Sequence, residues 1–230
     1  MPKLSIIVPV YNERNTVAEV LRRALSVETD KEIIVVDDGS TDGTREFLHG
    51  FNHESVTVVM HPENLGKGAA VRTGLERAGG EYVVVQDADL EYDPKQIPPL
   101  IEPLERGECD AVYGNRFPWL DKHDLRGVHI LTFMANQLLS WLVTILFVQR
   151  IHDVETCHKV MKRDTARSLG LRSSGFDIEP EITAKLLKRG YRIKEVPIAY
   201  RYRRYSEGKK ITWRDGIVAF LTAIKYRFVD

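Results

Sequence analysis

The sequence predicts an α/β protein built on a mostly parallel central sheet with helices on both faces, in one domain spanning residues 1–230. Three observations carry this. Short apolar runs rich in Val and Ile recur at residues 4–10, 32–36, 56–60 and 82–85, and each reads as a strand buried on both faces. Helical stretches lie between them, and strands joined by helices run parallel because only a crossover connection returns the chain to the same end of the sheet. Loops rich in Gly, Asp, Ser and Pro separate the two kinds of segment.

The elements follow in order. The first strand, residues 4–10, contains Pro9 and is followed by Tyr11-Asn12-Glu13; the next helix carries Thr16 and Glu19 at capping-box spacing. Residues 32–36 repeat the pattern, and the turn-rich loop Asp37-Asp38-Gly39-Ser40-Thr41-Asp42-Gly43 leads into a helix from near Thr44. After the third strand, residues 56–60, the loop Asn64-Leu65-Gly66-Lys67-Gly68 opens a helix over residues 69–78, with glycines for close backbone approach and Lys67 as a cation. The fourth strand, residues 82–85, delivers Asp87, Asp89 and Glu91 to its carboxyl end. Ligands of open α/β sheets lie in the crevice outside those ends. Carboxylates this close raise one another's pKa unless a cation sits between them, and an all-oxygen donor set suits Mg2+ or Mn2+ with bound phosphates. For Asp-x-Asp alone, a solvated acidic turn is the competing reading. A fifth strand, residues 111–115, runs into Arg116.

Lys plus Arg and Asp plus Glu balance at 33 each in 230 residues, so the whole chain carries no signature of a nucleic-acid partner. The distribution is uneven: residues 185–227 hold 13 Lys or Arg against 3 Asp or Glu. That asymmetry points to anionic ligands or an anionic membrane surface, with solvated helix faces as the plainer account. Cys109 and Cys157 match no zinc or redox spacing and read as reduced thiols of a cytosolic chain. The amino terminus enters a strand at once, without the regions of a secretory signal. There is no GxxxxGK(S/T), and no GxGxxG follows the first strand, so neither a P-loop nor a dinucleotide-binding fold is favoured.

Four ordered motifs, SIIVPVYNE (5–13), IIVVDDGSTDGT (33–44), NLGKGAAVRTG (64–74) and QDADLEYDP (86–94), resemble family 2 glycosyltransferases of the GT-A fold. Residues 136–159, with VETCHK after a hydrophobic helical stretch, and PIAYRYRRYSEGKKI (197–211) are similar to polyprenyl-phosphate sugar transferases such as dolichyl-phosphate mannose and glucose synthases. The resemblance implies a nucleotide-sugar-binding half, residues 1–116, and an acceptor- and membrane-facing half, residues 117–230. It implies that Pro9, Tyr11, Glu13 and Asp38 line the nucleoside pocket and that Asp87 and Ala88 approach ribose and diphosphate. Asp89 and Glu91 would ligate Mg2+ or Mn2+, and Lys67 would serve the nucleotide or cap its loop. For Asp38, an Asx turn within DDGSTDG competes.

A metal-held nucleoside diphosphate leaves the anomeric carbon without a catalytic acid. A phosphate acceptor attacks as an anion, so cations rather than a base are needed; Arg116, and the run Arg201, Arg203, Arg204, Lys209 and Lys210, are the candidates. A hydroxyl acceptor needs a base, and Asp177, Glu179 and Glu181 are the candidates, with Glu181 favoured by the resemblance. Acids at a helix amino terminus are also simply stabilising.

Residues 128–148 are long enough to span a bilayer, but His129, Asn136, Gln137 and Ser140 interrupt them. An interfacial helix fits better, with Trp141 and Phe147 toward lipid and Arg126 and Arg150 at its ends; burial at a dimer contact is the alternative. Residues 213–228 are similarly amphipathic. The sequence therefore reads as an inverting, metal-dependent enzyme moving a hexose from a GDP-mannose- or UDP-glucose-type donor to a polyprenyl or dolichyl phosphate, peripheral on the cytoplasmic membrane face. Transfer to a glycan or small-molecule hydroxyl, and a non-catalytic nucleotide-sugar-binding membrane adaptor, remain as alternatives. The oligomeric state stays open.

Overall fold

The structure, a computed structural model, describes residues 2–117, 130–202, 210 and 212–229. The strands Leu4–Val10 (β1), Lys31–Asp37 (β2), Val56–Met60 (β3), Tyr82–Val85 (β4), Ala111–Asn115 (β5), Lys159–Lys162 (β6) and Ile193–Pro197 (β7) form one sheet ordered β3-β2-β1-β4-β6-β5-β7. All run parallel except β6, which is antiparallel to both β4 and β5. The five strands read from the sequence are present. The two that were not, β6 and β7, are short or half-exposed, with lysines interrupting their apolar pattern.

The helices lie on both faces because successive side chains of a strand point to opposite sides. Leu4, Ile6, Val8 and Val10 of β1 pack with Val17, Val20 and Leu21 of α1 (Val17–Leu25) and with Ile97, Leu100 and Ile101 of α4 (Ile97–Glu105). Ile7 of β1 and Ile34 and Val36 of β2 face the other core, which takes in α3 (Lys67–Arg77), α5 (Ile130–Phe147), α7 (Ile178–Lys188) and α8 (Trp213–Phe228). Each fully buried Leu or Ile contributes about 1.5–3 kcal/mol. Short helices α2 (Thr44–His49) and α6 (Arg163–Ser168) complete the set among the described residues.

Two local expectations change. The Thr16 hydroxyl turns back to the carbonyl and carboxylate of Glu13, while Glu19 pairs with Arg22 and Arg23, so the capping box does not form at α1. One does form at α8, between Thr212 and Asp215. Helix α3 begins at Lys67 rather than Ala69, because the otherwise unpaired amides of Gly68 and Ala69 donate to the Ser174 carbonyl.

Helix α5 is polar inward and apolar outward. It buries Asn136 and Ser140 beside Leu139 and Val143, while Met134, Leu138, Trp141 and Ile145 form an exposed stripe. Helix α8 buries Ala219, Thr222, Ala223 and Tyr226 and exposes Ile217, Leu221, Ile224 and Phe228. Both stripes repeat at the spacing of one helix face. Trp141 is exposed as expected, whereas Phe147 is half-buried under the Arg227 guanidinium; Arg126 lies outside the described residues. No described helix is long and apolar enough to cross a membrane.

The order of the strands fixes where a ligand can sit. The order in which strands are added reverses between parallel β1 and β4, β2 and β3 lying to one side and the later strands to the other, and this is the position where α/β sheets open a crevice. The carboxyl ends of β1, β2, β4 and β5 share one edge, and antiparallel β6 brings its preceding segment, residues 151–158, to the same edge. Gly68 holds that edge together: a Cβ there would lie 2.4 Å from the Ser173 carbonyl oxygen. Gly68→Ala is expected to lower stability by about 1–3 kcal/mol through overpacking, read as a lower denaturant midpoint at unchanged m-value.

Candidate active site

The shared edge holds a cleft of about 450 Å3 that opens to solvent. It is lined by Pro9, Tyr11 and Glu13 after β1, Asp38 after β2, Lys67 at the start of α3, and Asp87, Ala88, Asp89 and Glu91 after β4. Arg116 after β5 and Glu155 ahead of β6 also line it, as do Thr132 of α5, Glu179 of α7, Tyr200, Lys210 and Asp215 of α8. The nine residues read as nucleotide- or metal-facing, together with Arg116, are thus brought together. Among the described lining residues, eight carboxylates face three cations.

At the β1–β2 end, Asp38 is a clamp. Its Oδ1 accepts from His61 Nδ1 at 2.7 Å and from the Leu65 amide at 2.9 Å, and its Oδ2 accepts from the Gly66 amide at 2.8 Å. The Asx-turn role falls to its neighbours instead: Asp37 accepts from the Ser40 amide and Asp42 from the Thr44 amide. Asp38 thereby fixes the loop that presents Lys67. His61, a partner the sequence reading missed, sits on the third strand's exit with its Nε2 3.0 Å from the Thr73 hydroxyl. Glu13 accepts from Thr16 and, at 2.7 Å, from Lys210 Nζ. The Lys210 ammonium lies 5.6 Å from the Tyr11 ring centroid and donates to the Tyr11 carbonyl.

Lys67 is caught between two acids. Its Nζ is 2.7 Å from Asp87 Oδ1 and 3.2 Å from Glu179 Oε1, and Glu179 Oε2 accepts at 2.5 Å from Lys159 Nζ. Charges therefore alternate along Asp87, Lys67, Glu179 and Lys159 behind the cleft. Burial pushes the Lys67 pKa down, but Asp87 and Glu179 outweigh it and hold the ammonium well above its ordinary range. Burial likewise pushes the Asp87 carboxyl up, and Lys67 outweighs it, so Asp87 stays ionised.

Asp89 has no such cation among the described residues. Burial, with Asp87 and Glu91 adding their repulsion, pushes its carboxyl well above the usual carboxylate range. Its Oδ1 accepts from the Glu91 amide at 3.1 Å, and Glu91 accepts from the Tyr200 hydroxyl. Closely spaced carboxylate oxygens of this kind fit a hard divalent cation. No group of three His, Cys, Asp or Glu among the described residues could hold a metal alone, so the remaining ligands would come from the bound molecule. Oxygens of a diphosphate have that chemistry.

Arg116 forms a fork on buried Asp153, with Nε 2.8 Å from Oδ2 and Nη2 2.7 Å from Oδ1, and stacks on Tyr200 and Phe117. Burial lowers its pKa and Asp153 more than restores it, so the charge persists. Of the other expected phosphate-binding cations, Arg201 is exposed and donates its amide to the Glu91 carbonyl, while Arg204 and Lys209 lie outside the described residues.

Glu181 is built into the loop before α7. It is fully buried, and its carboxylate accepts from the amides of Arg172 and Ser173 and pairs with Lys185 at 2.7 Å. It anchors the loop before α7 and does not line the cleft. Asp177 accepts from the Gly175 amide. Glu179 does face the cleft, two residues before Glu181: α7 begins at Ile178, and that phase turns Glu179 inward and Glu181 toward the loop. Asp153 and Glu155 were also missed, since they precede a strand that the sequence does not reveal.

A model of glycosyl transferase family 2 matches residues 5–166. A glycosyltransferase of Haloferax volcanii, AglJ, is 30% identical over 220 residues, covering 94% of this chain and 69% of its own length. The low-salt glycan biosynthesis hexosyltransferase Agl6 of the same organism is 28% identical over 94% of this chain, which spans 51% of that relative. Among solved structures, glucosyl-3-phosphoglycerate synthase from Mycobacterium tuberculosis with bound UDP superposes at a TM-score of 0.74 and 21% identity, over 100% of this chain and 81% of its own. At that identity the likeness shows a shared fold.

Glu181→Gln tests the anchor. Burial raises the Glu181 pKa, but bonds from Lys185, Ser173 and Arg172 outweigh it and hold the carboxyl below its ordinary 4.5. Because folding depresses this pKa, the contribution is fully present above pH 4.5 and fades as pH falls through the lower folded value. The variant should lose about 3 kcal/mol at neutral pH by leaving Lys185 unpaired, and the gap in melting temperature should narrow below pH 4.5.

Proposed function

Because the chain belongs to glycosyl transferase family 2, we propose that it moves a hexose, with inversion, from a GDP-mannose- or UDP-glucose-type donor to a polyprenyl phosphate at the cytoplasmic face of a membrane. The observation that carries the acceptor is that α5 and α8, the helices with outward apolar stripes, also supply Thr132 and Asp215 to the cleft. A bilayer covering those stripes would bring the cleft beside lipid head groups, and the basic side chains of Arg150, Arg214, Lys225 and Arg227 suit an anionic surface. A hexosyltransferase among the relatives supports the sugar class. Structural neighbours crystallised with Mn2+ and UDP-glucose, or with Mg2+ and UDP, support the donor and the ion.

In this reading Pro9, Tyr11, Glu13 and Asp38 form the nucleoside end, with Asp38 acting through the loop it clamps. Lys67 and Asp87 meet ribose and diphosphate beside Ala88. Asp89 and Glu91 hold the Mg2+ or Mn2+, which when bound acts as a Lewis acid toward the departing diphosphate. Arg116, kept charged and oriented by Asp153, faces the acceptor phosphate. That phosphate is already an anion and attacks directly, which gives inversion without an enzymic nucleophile.

The acceptor present in some neighbours is phosphoglyceric acid, which keeps hydroxyl transfer as the second reading. Release of nucleoside diphosphate from UDP- and GDP-sugars with Mg2+ or Mn2+ separates the two. Farnesyl phosphate should stimulate release, and Asp89→Ala should reduce it by roughly 100-fold or more; metal-dependent hydrolysis untouched by the lipid would reject the acceptor. A binding-only protein would release nothing. Separately, the chain should sediment with phosphatidylglycerol vesicles. Replacing Trp141 and Leu221 together by Ser should weaken that binding by roughly 100-fold or more, since each buried side chain contributes about 1.5–3 kcal/mol.

A further inference from the structure

One carboxyl in the cleft has no place in the donor chemistry. Glu155 lies on the segment between α5 and β6, its amide donating to Asn136 Oδ1 at 3.2 Å and its side chain lining the cleft with Arg116 and Thr132. Its Oε1 is buried and has no hydrogen-bond partner among the described residues. Among the described residues, the nearby cations are committed elsewhere. All three protons of the Lys159 ammonium go to the carbonyls of Val154 and Thr156 and to Glu179, and the Arg116 fork closes on Asp153. With Oε1 shut away from water and no ion pair to the carboxylate among the described residues, the ionised form of Glu155 is disfavoured.

We propose that Glu155 binds the acceptor as an uncharged carboxyl, its O–H donating a hydrogen bond to a phosphate oxygen of the acceptor. This rests on the phosphate-acceptor reading above. Among the described residues the cleft already presents more carboxylates than cations, and in this reading it must admit a second anionic substrate. A neutral carboxyl is the one form of an acidic side chain that attracts a phosphate oxygen, since it donates where the carboxylate only accepts. The groups facing Glu155 set the pH at which this holds. Burial, opposed by Lys159 and Arg116 and aided by Glu179 and Asp153, pushes its carboxyl up to about 7. Acceptor affinity should therefore weaken as pH rises through neutrality, because only the protonated fraction binds.

The experiment measures KM for farnesyl phosphate from pH 6 to 8.5 in the wild type and in Glu155→Gln, whose amide is a permanent neutral donor of similar shape. With a carboxyl at about 7, the wild-type KM should rise roughly 30-fold over this range beyond the change due to the phosphate's own ionisation. The variant should show only the latter, and at pH 8.5 its KM should fall at least roughly tenfold below that of the wild type. Parallel KM curves would overturn the proposal while leaving the phosphate acceptor standing. A loss of kcat of roughly 100-fold or more at every pH would also overturn it, since Glu155 would then be taking a proton in the chemical step. No farnesyl-phosphate-dependent turnover with any donor, in an enzyme that still binds nucleoside diphosphate, would remove the acceptor reading and the proposal together. Should Glu155→Gln fail to fold, the wild type alone still decides. Calorimetric binding of farnesyl sulfate, which does not titrate in this range, should take up close to one proton per molecule at pH 8 when compared in two buffers, and no uptake would reject the role.

Discussion

The buried alternation of Asp87, Lys67, Glu179 and Lys159 is the interaction on which the cleft depends. Each member comes from a different element: the loop after β4, the first residue of α3, the first turn of α7 and the first residue of β6. Removing one partner of such a buried pair typically costs about 3–5 kcal/mol, because the other is left uncompensated. Four elements are thus held in register by charge where packing alone would tolerate sliding. The same arrangement makes Lys67 a fixed cation at the cleft floor, unable to follow a ligand outward. The loop leading to it is pinned in turn, with Asp38 accepting from Leu65, Gly66 and His61, and with Gly66 and Gly68 approaching the carbonyls of Ser174 and Ser173.

Most of the first half of this arrangement could be read from the sequence. Continuous Val and Ile runs mark strands buried on both faces, and turn chemistry after each strand marks the loops of the binding edge. The strands and the acidic loop Asp87 to Glu91 therefore fall where local chemistry puts them. The second half was harder because its information is not local. Nothing in the tetrapeptide Lys159–Lys162 announces a strand, and only pairing with β4 and β5 makes it one, running against both. That reversal carries Asp153 and Glu155 to the ligand edge. The choice between Glu179 and Glu181 is a matter of helix phase: two positions apart they point to different sides, and the first residue of α7 decides which enters the cleft.

Helix α5 shows how the two kinds of information meet. Asn136, Gln137 and Ser140 interrupt an otherwise apolar stretch, and a hydropathy reading sees in them only a weak membrane span. In the structure they hold the segment after the helix. The amides of Asn136 and Gln137 donate to the His152 carbonyl, Asn136 Oδ1 accepts from the Glu155 amide, and Ser140 Oγ accepts from the Val154 amide. That segment carries Asp153, which orients Arg116, and Glu155. With the polar face of α5 spent on the cleft wall, Met134, Leu138, Trp141 and Ile145 have no direction left but outward. The apolar surface and the cleft wall are therefore two sides of one helix. A shift of α5 would reach Arg116 and Glu155 through three side chains, so its exposed apolar stripe and the cleft wall are mechanically one unit.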